Sequence, residues 1–286
     1  MSKKVNSIII RVAGTNCDIE TCYALKLAGS DTVDLVHINQ IIRKEVKLSK
    51  YQIMAIPGGF SYGDDVSAGK IFTVQLHYKL WNEIEKFDLS GRLIIGICNG
   101  FQVLVKLGLL PGLNSEEKIF TKDDLSRNQI NQTVTLTNNN SGKFECRWVY
   151  LKPGKNNLWT KDMPDIIQLP IAHAEGKFMT KDKKTLKLIE QNNQVAFRYV
   201  DEQGNVVNEF PYNPNGSQNN IAGITNKRGN ILGLMPHPER YVLKYQHPFW
   251  TRYKSLRIKA NNQLENYGDG LFIFQNAVKY SLENLT

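Results

Sequence analysis

Three side chains that could transfer an acyl group stand far apart in the chain: Cys98 in GICNG, and His237 with Glu239 in PHPER. A thiolate attacks a carbonyl carbon readily, but the proton of the leaving group must be moved by a neighbour, usually an imidazole whose tautomer a third group fixes. The run Gly96-Ile97-Cys98-Asn99-Gly100 has the G-x-nucleophile-x-G spacing of a strand-to-helix elbow. Small residues two positions either side allow the tight turn from which a thiol projects free of neighbouring Cβ atoms. A helix beginning at that turn adds unpaired N–H groups and a positive dipole end, both of which favour the thiolate. Alone, Cys98 reads equally well as a small buried apolar residue, the common fate of a free cysteine.

His237 and Glu239 are two residues apart with Pro238 between them. Alternate residues of an extended segment point the same way, so Glu239 can orient the imidazole. A histidine beside two prolines is also an ordinary loop residue; it gains meaning only when joined to the elbow. Together the three form a Cys/His/Glu triad suited to cysteine-dependent amide hydrolysis. Their order along the chain does not select a fold. The same chemistry needs two backbone N–H groups aimed at the oxyanion. In Ile56-Pro57-Gly58-Gly59-Phe60 the main chain can approach a ligand closely, and the N–H of Gly59 is the candidate to pair with that of Asn99.

The elements that must position these groups follow from periodicity. Leu93 to Ile97 is a short aliphatic run and reads as a buried strand, while Phe101, Val103, Leu104, Leu107 and Leu110 recur at near-helical spacing. NSIIIRVAG, TVDLVHI and YQIMAIPGG read as further strands, with TCYALKLAGS as a helix between the first two. Apolar strands alternating with helices predict an α/β fold: a three-layer sandwich with a mostly parallel sheet covered on both faces. Sites in such sheets lie at the carboxyl ends of strands, where PGGFSYGDD and CNG both fall. QTVTLT and KFECRWVYLK flank the turn-rich NNNSG, which predicts a β-hairpin. QGNVVNEFPYNPNGSQNN reads as a long polar loop, and a last helix is expected to begin near Asp269. No linker divides the chain, so a single domain over residues 1–286 is expected.

With 286 residues, 41% of them hydrophobic, the chain can bury a large core. Its four cysteines are scattered, with no pair at metal-finger spacing, so no metal site is expected and a reducing compartment fits best. No apolar segment is long enough to span a bilayer, which leads to the expectation of a soluble cytoplasmic protein without membrane contact. The net charge of +9 raises nucleic acid as a partner. The densest basic stretches, KDKKTLK and RYKSLRIK, lack interleaved aromatics or any base-reading motif, so no nucleic-acid partner is expected.

In order along the chain, PGGFSYGDD, GICNGFQ and PHPER resemble the class I glutamine amidotransferases. GTNCD, SGKFECRWVYL, PIAHAEGKF, NNIAGITN and GNILGLMPHPER narrow the resemblance to the glutaminase subunits of phosphoribosylformylglycinamidine synthases, and the similarity runs along nearly the whole chain. Ala13 stands where that family commonly has proline. Most members are shorter, and the excess falls in residues 113–140, 202–214 and 243–267, which are expected to be insertions.

The resemblance implies a flavodoxin-like fold and assigns roles to matching positions. Cys98 would attack the carboxamide of L-glutamine, His237 relay the proton to ammonia, and Glu239 steady the histidine. Gly59 and Asn99 would hold the oxyanion, with Gly58, Phe60, Gln102 and His173 as substrate contacts, Gln102 at the amino-acid end and His173 equally readable as a structural hydrogen-bonding residue. It further implies a synthetase subunit as partner, with a small bridging subunit, and purine biosynthesis as the setting. The chain has no G-x-x-x-x-G-K-[ST] loop, so it is expected to hold no cofactor, and ATP and Mg are expected on the synthetase. The basic segment 243–267 is expected to belong to the docking surface. Another cysteine hydrolase of similar layering, or a non-catalytic scaffold subunit, are the competing readings.

Overall fold

The aliphatic runs become a nine-stranded sheet in the computed structural model, which describes residues 3–65, 67–113, 132–155, 157–252 and 266–286. Five strands, β1 (Asn6–Arg11), β2 (Thr32–His37), β3 (Ile53–Ile56), β4 (Leu93–Ile97) and β11 (Ile231–Leu234), form a wholly parallel core in the order β2-β1-β3-β4-β11. Four more strands continue it antiparallel beyond β11: β10 (Ile221–Thr225), β9 (Val195–Val200), β6 (Glu145–Pro153) and β7 (Ile167–His173). Every residue of β3, β4, β10 and β11 is buried, as expected of strands covered on both faces. The covering helices include α1 (Asp18–Leu27), which packs on α6 (Leu271–Asn284), and α3 (Lys70–Leu89), which packs on α4 (Asn99–Lys106) and on the short α2 (Ile38–Ile42). Helix α5 (Lys183–Gln191) packs against β8 (Lys177–Thr180). Among the described residues no helix is long and apolar enough to cross a membrane.

Two features of this topology build the site. β4 and β11 are neighbours in register, Gly96 opposite Gly233 and Ile97 opposite Leu234, so the residues following each strand emerge side by side. The antiparallel strands also fold back over those strand ends: β7 is last in the sheet, yet the N–H of His237 donates to Pro170 O at 2.8 Å. The first turn of α4 is pressed against the end of β3, where a Cβ on Gly100 would lie 1.8 Å from Ile56 O. Gly100→Ala is therefore expected to destabilise the fold by roughly 3 kcal/mol, read as a lower urea midpoint at constant m-value.

The expected hairpin does not form. Both strands exist, but β5 (Val134–Thr137) pairs with β8, while β6 pairs with β7 and β9. The turn between them does close, Gly142 N–H to Asn139 O at 2.9 Å, yet its arms diverge because each finds a longer-range partner. The polar segment after β9 is a loop, as its composition suggests, but its far end is internal: Asn213, Asn215 and Asn220 are buried. Asn215 Nδ2 donates to Gly176 O, and Ser217 Oγ accepts the N–H of Phe178, both at 2.9 Å. Residues 114–131 and 253–265, which make up much of two expected insertions and of the basic docking segment, lie outside the described residues.

Candidate active site

Cys98 occupies the turn between β4 and α4 with φ 51° and ψ −106°. A positive φ is unfavourable for a residue with a Cβ and persists only where surrounding structure imposes it. Here the strand on one side and the helix on the other do so, and the Cys98 N–H is tied to Leu234 O at 2.8 Å. Asn99 is the first residue of α4, so its own N–H has no acceptor within the helix.

His237 and Glu239 follow β11 in a short 3-10 turn, with His237 Nδ1 and Glu239 Oε1 2.6 Å apart and both side chains almost wholly buried. Nε2 of the imidazole is buried without a hydrogen-bond partner among the described residues. The side chains converge on Gly58, where a Cβ would lie 2.8 Å from His237 Cε1 and 3.4 Å from Cys98 Cβ. Burial alone would push the His237 pKa down. The negative charge of Glu239, then the nearby sulfurs of Cys98 and Cys17, outweigh it and hold the pKa well above its ordinary value. The arrangement sets an imidazole whose protonated form is favoured between the Glu239 carboxylate and the Cys98 sulfur, with Nε2 as the nitrogen able to deliver a proton.

Gly59 lies across from Cys98 in a cleft of about 530 Å³ that both line. Its φ of 139° belongs to glycine, and a Cβ there would strike Asn16 N and Gly14 O at 2.7 Å, so the residue is clasped by the loop after β1. Among the described residues its N–H has no acceptor. Phe60 stands half exposed at the rim. Gly58 O accepts the Cys17 N–H at 3.3 Å. Gln102 lines the cleft but already spends its amide: Oε1 accepts from Asn99 Nδ2 at 3.1 Å, and Nε2 donates to Glu175 O at 2.7 Å. His173 forms part of the same wall, fully buried.

Three residues without a role in the sequence analysis join the site. Cys17 Sγ lies 3.9 Å from His237 Nδ1, and Cys17, His237 and Glu239 place ligand-type atoms within 4.8 Å of one another. Two cysteines therefore flank one histidine. Cys17 meets the nitrogen that already serves Glu239, donates its S–H to Asn16 Oδ1 at 3.2 Å, accepts from Arg240 Nη2 at 3.1 Å, and keeps a relaxed backbone with negative φ. Burial, foremost, raises its pKa. Cys98 has the strained turn and the free Nε2. Arg240 lines the cleft beside Cys17 and lies 3.5 Å from Glu20. Asp64 holds the wall by accepting from Gly69 N–H at 2.9 Å and Asn99 Nδ2 at 3.1 Å. Their only signal was membership of GTNCD, PHPER and PGGFSYGDD, which names a position but no contact.

Comparison with known proteins places this geometry. The model of the CobB/CobQ-like glutamine amidotransferase domain matches residues 4–281. A relative from Dehalococcoides mccartyi, phosphoribosylformylglycinamidine synthase subunit PurQ, is 45% identical over 280 residues, covering 97% of this chain and 98% of its own. Among solved structures, that of PurLQS from Thermotoga maritima superposes with a TM-score of 0.66 at 31% identity, covering 97% of this chain and 99% of that one. The glutaminase domain of Trypanosoma brucei CTPS shares the fold, with a TM-score of 0.53 at 10% identity over 96% of this chain and 94% of that one. With a family model spanning nearly its whole length and a strained cysteine beside a carboxylate-bound histidine, the chain belongs to the CobB/CobQ-like glutamine amidotransferases.

Proposed function

We infer that this chain is the glutaminase subunit of a phosphoribosylformylglycinamidine synthase, supplying ammonia from glutamine to a synthetase subunit in purine biosynthesis. Relatives of matching length carry that name, and a structural neighbour at 31% identity belongs to PurLQS from Thermotoga maritima, which supports a synthetase and a small third subunit as partners. The observation that carries the chemistry is the imposed positive φ of Cys98 beside the His237–Glu239 pair.

In this reading the Cys98 thiolate adds to the side-chain carbonyl of glutamine. The oxyanion takes hydrogen bonds from the N–H groups of Gly59 and Asn99. As the C–N bond breaks, His237 passes its Nε2 proton to the nitrogen, which leaves as ammonia, and the γ-glutamyl group stays as a thioester on sulfur. Neutral His237 then draws a proton from water, the C–S bond breaks, and glutamate departs with thiolate and imidazolium restored. Glu239 holds the tautomer through both steps. ATP and Mg act on the synthetase, where formylglycinamide ribonucleotide is amidated. We place the protein in the cytoplasm, a reading supported by four free cysteines. Reconstitution tests the whole assignment: with synthetase and bridging subunit, glutamine should support amidine formation at a rate comparable to that with added ammonia. A synthetase that uses ammonia but gains no glutamine-dependent activity from this chain would refute it.

A further inference from the structure

Asn139 determines which nitrogen of His173 carries a hydrogen. Its Nδ2 donates to Lys143 O at 2.9 Å and His173 O at 2.8 Å, and its Oδ1 accepts the N–H of Gly176 at 3.1 Å. All three partners are main-chain groups of fixed polarity, so the amide has one orientation. His173 Nδ1 lies 3.1 Å from that same Oδ1. An amide oxygen only accepts, so Nδ1 bears the hydrogen and Nε2 bears the lone pair. Burial, and then the charge of His237, push the His173 pKa down to about 3, so the ring stays neutral throughout the physiological range.

Among the described residues no donor reaches that lone pair. His173 is 4% exposed, and its Nε2 is buried with no partner among the described residues. The ring lines the cleft shared by Cys98 and His237, and the carbonyl of the preceding residue, Ala172, lies 3.7 Å from Cys98 Sγ. Gly176 makes room for it, since a Cβ there would lie 2.3 Å from the ring. A buried acceptor left unmatched costs about 1–3 kcal/mol, which a donor arriving in the cleft would recover.

We propose that His173 Nε2 accepts a hydrogen bond from the carboxamide nitrogen of the substrate and from the ammonia it becomes, and so selects a γ-carboxamide over a γ-ester or γ-carboxylate. The proposal rests on the glutaminase reading above. The carbonyl oxygen of a carboxamide only accepts and is served by backbone N–H groups; its nitrogen carries two hydrogens that need acceptors in a dry cleft. Among the side chains at the reaction centre, Cys98 is the attacking group, His237 as imidazolium only donates, and Glu239 is engaged by His237 through Oε1. Of the buried acceptors there without a partner among the described residues, Glu239 Oε2, Asn99 Oδ1 and His173 Nε2, only that of His173 belongs to a residue lining the cleft. His173 supplies the neutral acceptor. After His237 protonates the nitrogen, ammonia still has hydrogens to offer Nε2, whereas the carboxylate of product glutamate faces a lone pair and is disfavoured.

The assembled complex decides this by hydrolysis of L-glutamine and of L-glutamate γ-methyl ester, which has no leaving N–H. His173→Leu should lower kcat/KM for glutamine about 10- to 100-fold and for the ester less than about threefold. His173→Gln, whose carbonyl can accept, should restore part of the preference. Asn139→Leu, which frees the tautomer, should lose preference with His173 intact and serves the same comparison if the leucine variant does not assemble. The ratio is taken within one preparation, so loss of folded protein cancels. Equal losses on both substrates would make His173 merely structural and overturn the proposal. A wild-type complex that hydrolyses neither substrate would instead remove the glutaminase reading, and this proposal with it.

Discussion

Cys98→Ala is expected to reduce glutamine hydrolysis in the assembled complex by a factor on the order of 10⁴ or more, while Cys17→Ala leaves it within about tenfold of wild type. The contrast matters because both cysteines stand beside His237. A nucleophile must be free to approach a carbonyl carbon, and the proton donor must reach the leaving nitrogen on the same side. Cys98 sits at the cleft in a backbone conformation imposed by β4 and α4, and next in the chain is the N–H of Asn99, which has no acceptor within the helix. Cys17 is held between Asn16 and Arg240 and touches the imidazole at Nδ1, which is committed to Glu239. Losing Cys17 removes a packing contact with the histidine; losing Cys98 removes the bond-forming atom. Glutamate release by the two variants at saturating glutamine checks the difference.

Glu239→Gln is expected to lower kcat about 10²- to 10³-fold and to shift the pH profile. The substitution keeps the shape of the side chain and an oxygen able to accept from Nδ1. It removes the largest influence raising the His237 pKa, so burial then dominates and the pKa falls. The active form needs His237 protonated when nitrogen leaves. Its proton is lost as pH rises through the pKa, so the alkaline limb of the kcat profile should move to lower pH in the variant. An alkaline limb that stays in place, whatever the loss of rate, would show that Glu239 does not act through the charge of His237.

Local rules were enough for the elbow. Four aliphatic residues in a five-residue strand, a cysteine between two glycines and a helical apolar stripe each specify their own conformation, and together they place Cys98 at a strand-to-helix turn. The meeting of Cys98 with His237 was legible for a related reason: each follows a buried strand, and neighbouring parallel strands present their carboxyl ends together. The failed hairpin shows where local rules stop. NNNSG does make a turn, but strand pairing is settled by which edges are free elsewhere, and β8 and β7 capture the two arms. Cys17, Arg240 and Asn139 were invisible as site residues for the same reason. Each reaches the cleft through contacts between segments 34 to 223 positions apart, and nothing in their immediate neighbours encodes such a contact.

In this mechanism one particular sulfur, that of Cys98, forms the acyl bond. Incubating the complex with a diazo-ketone analogue of glutamine, which alkylates the attacking thiol, and mapping the product by peptide mass spectrometry tests it most directly. One equivalent of label is expected on the peptide containing Cys98, with Cys17 unmodified and labelling prevented by excess glutamine. Label on Cys17, or none on Cys98 in a complex that still hydrolyses glutamine, would contradict it.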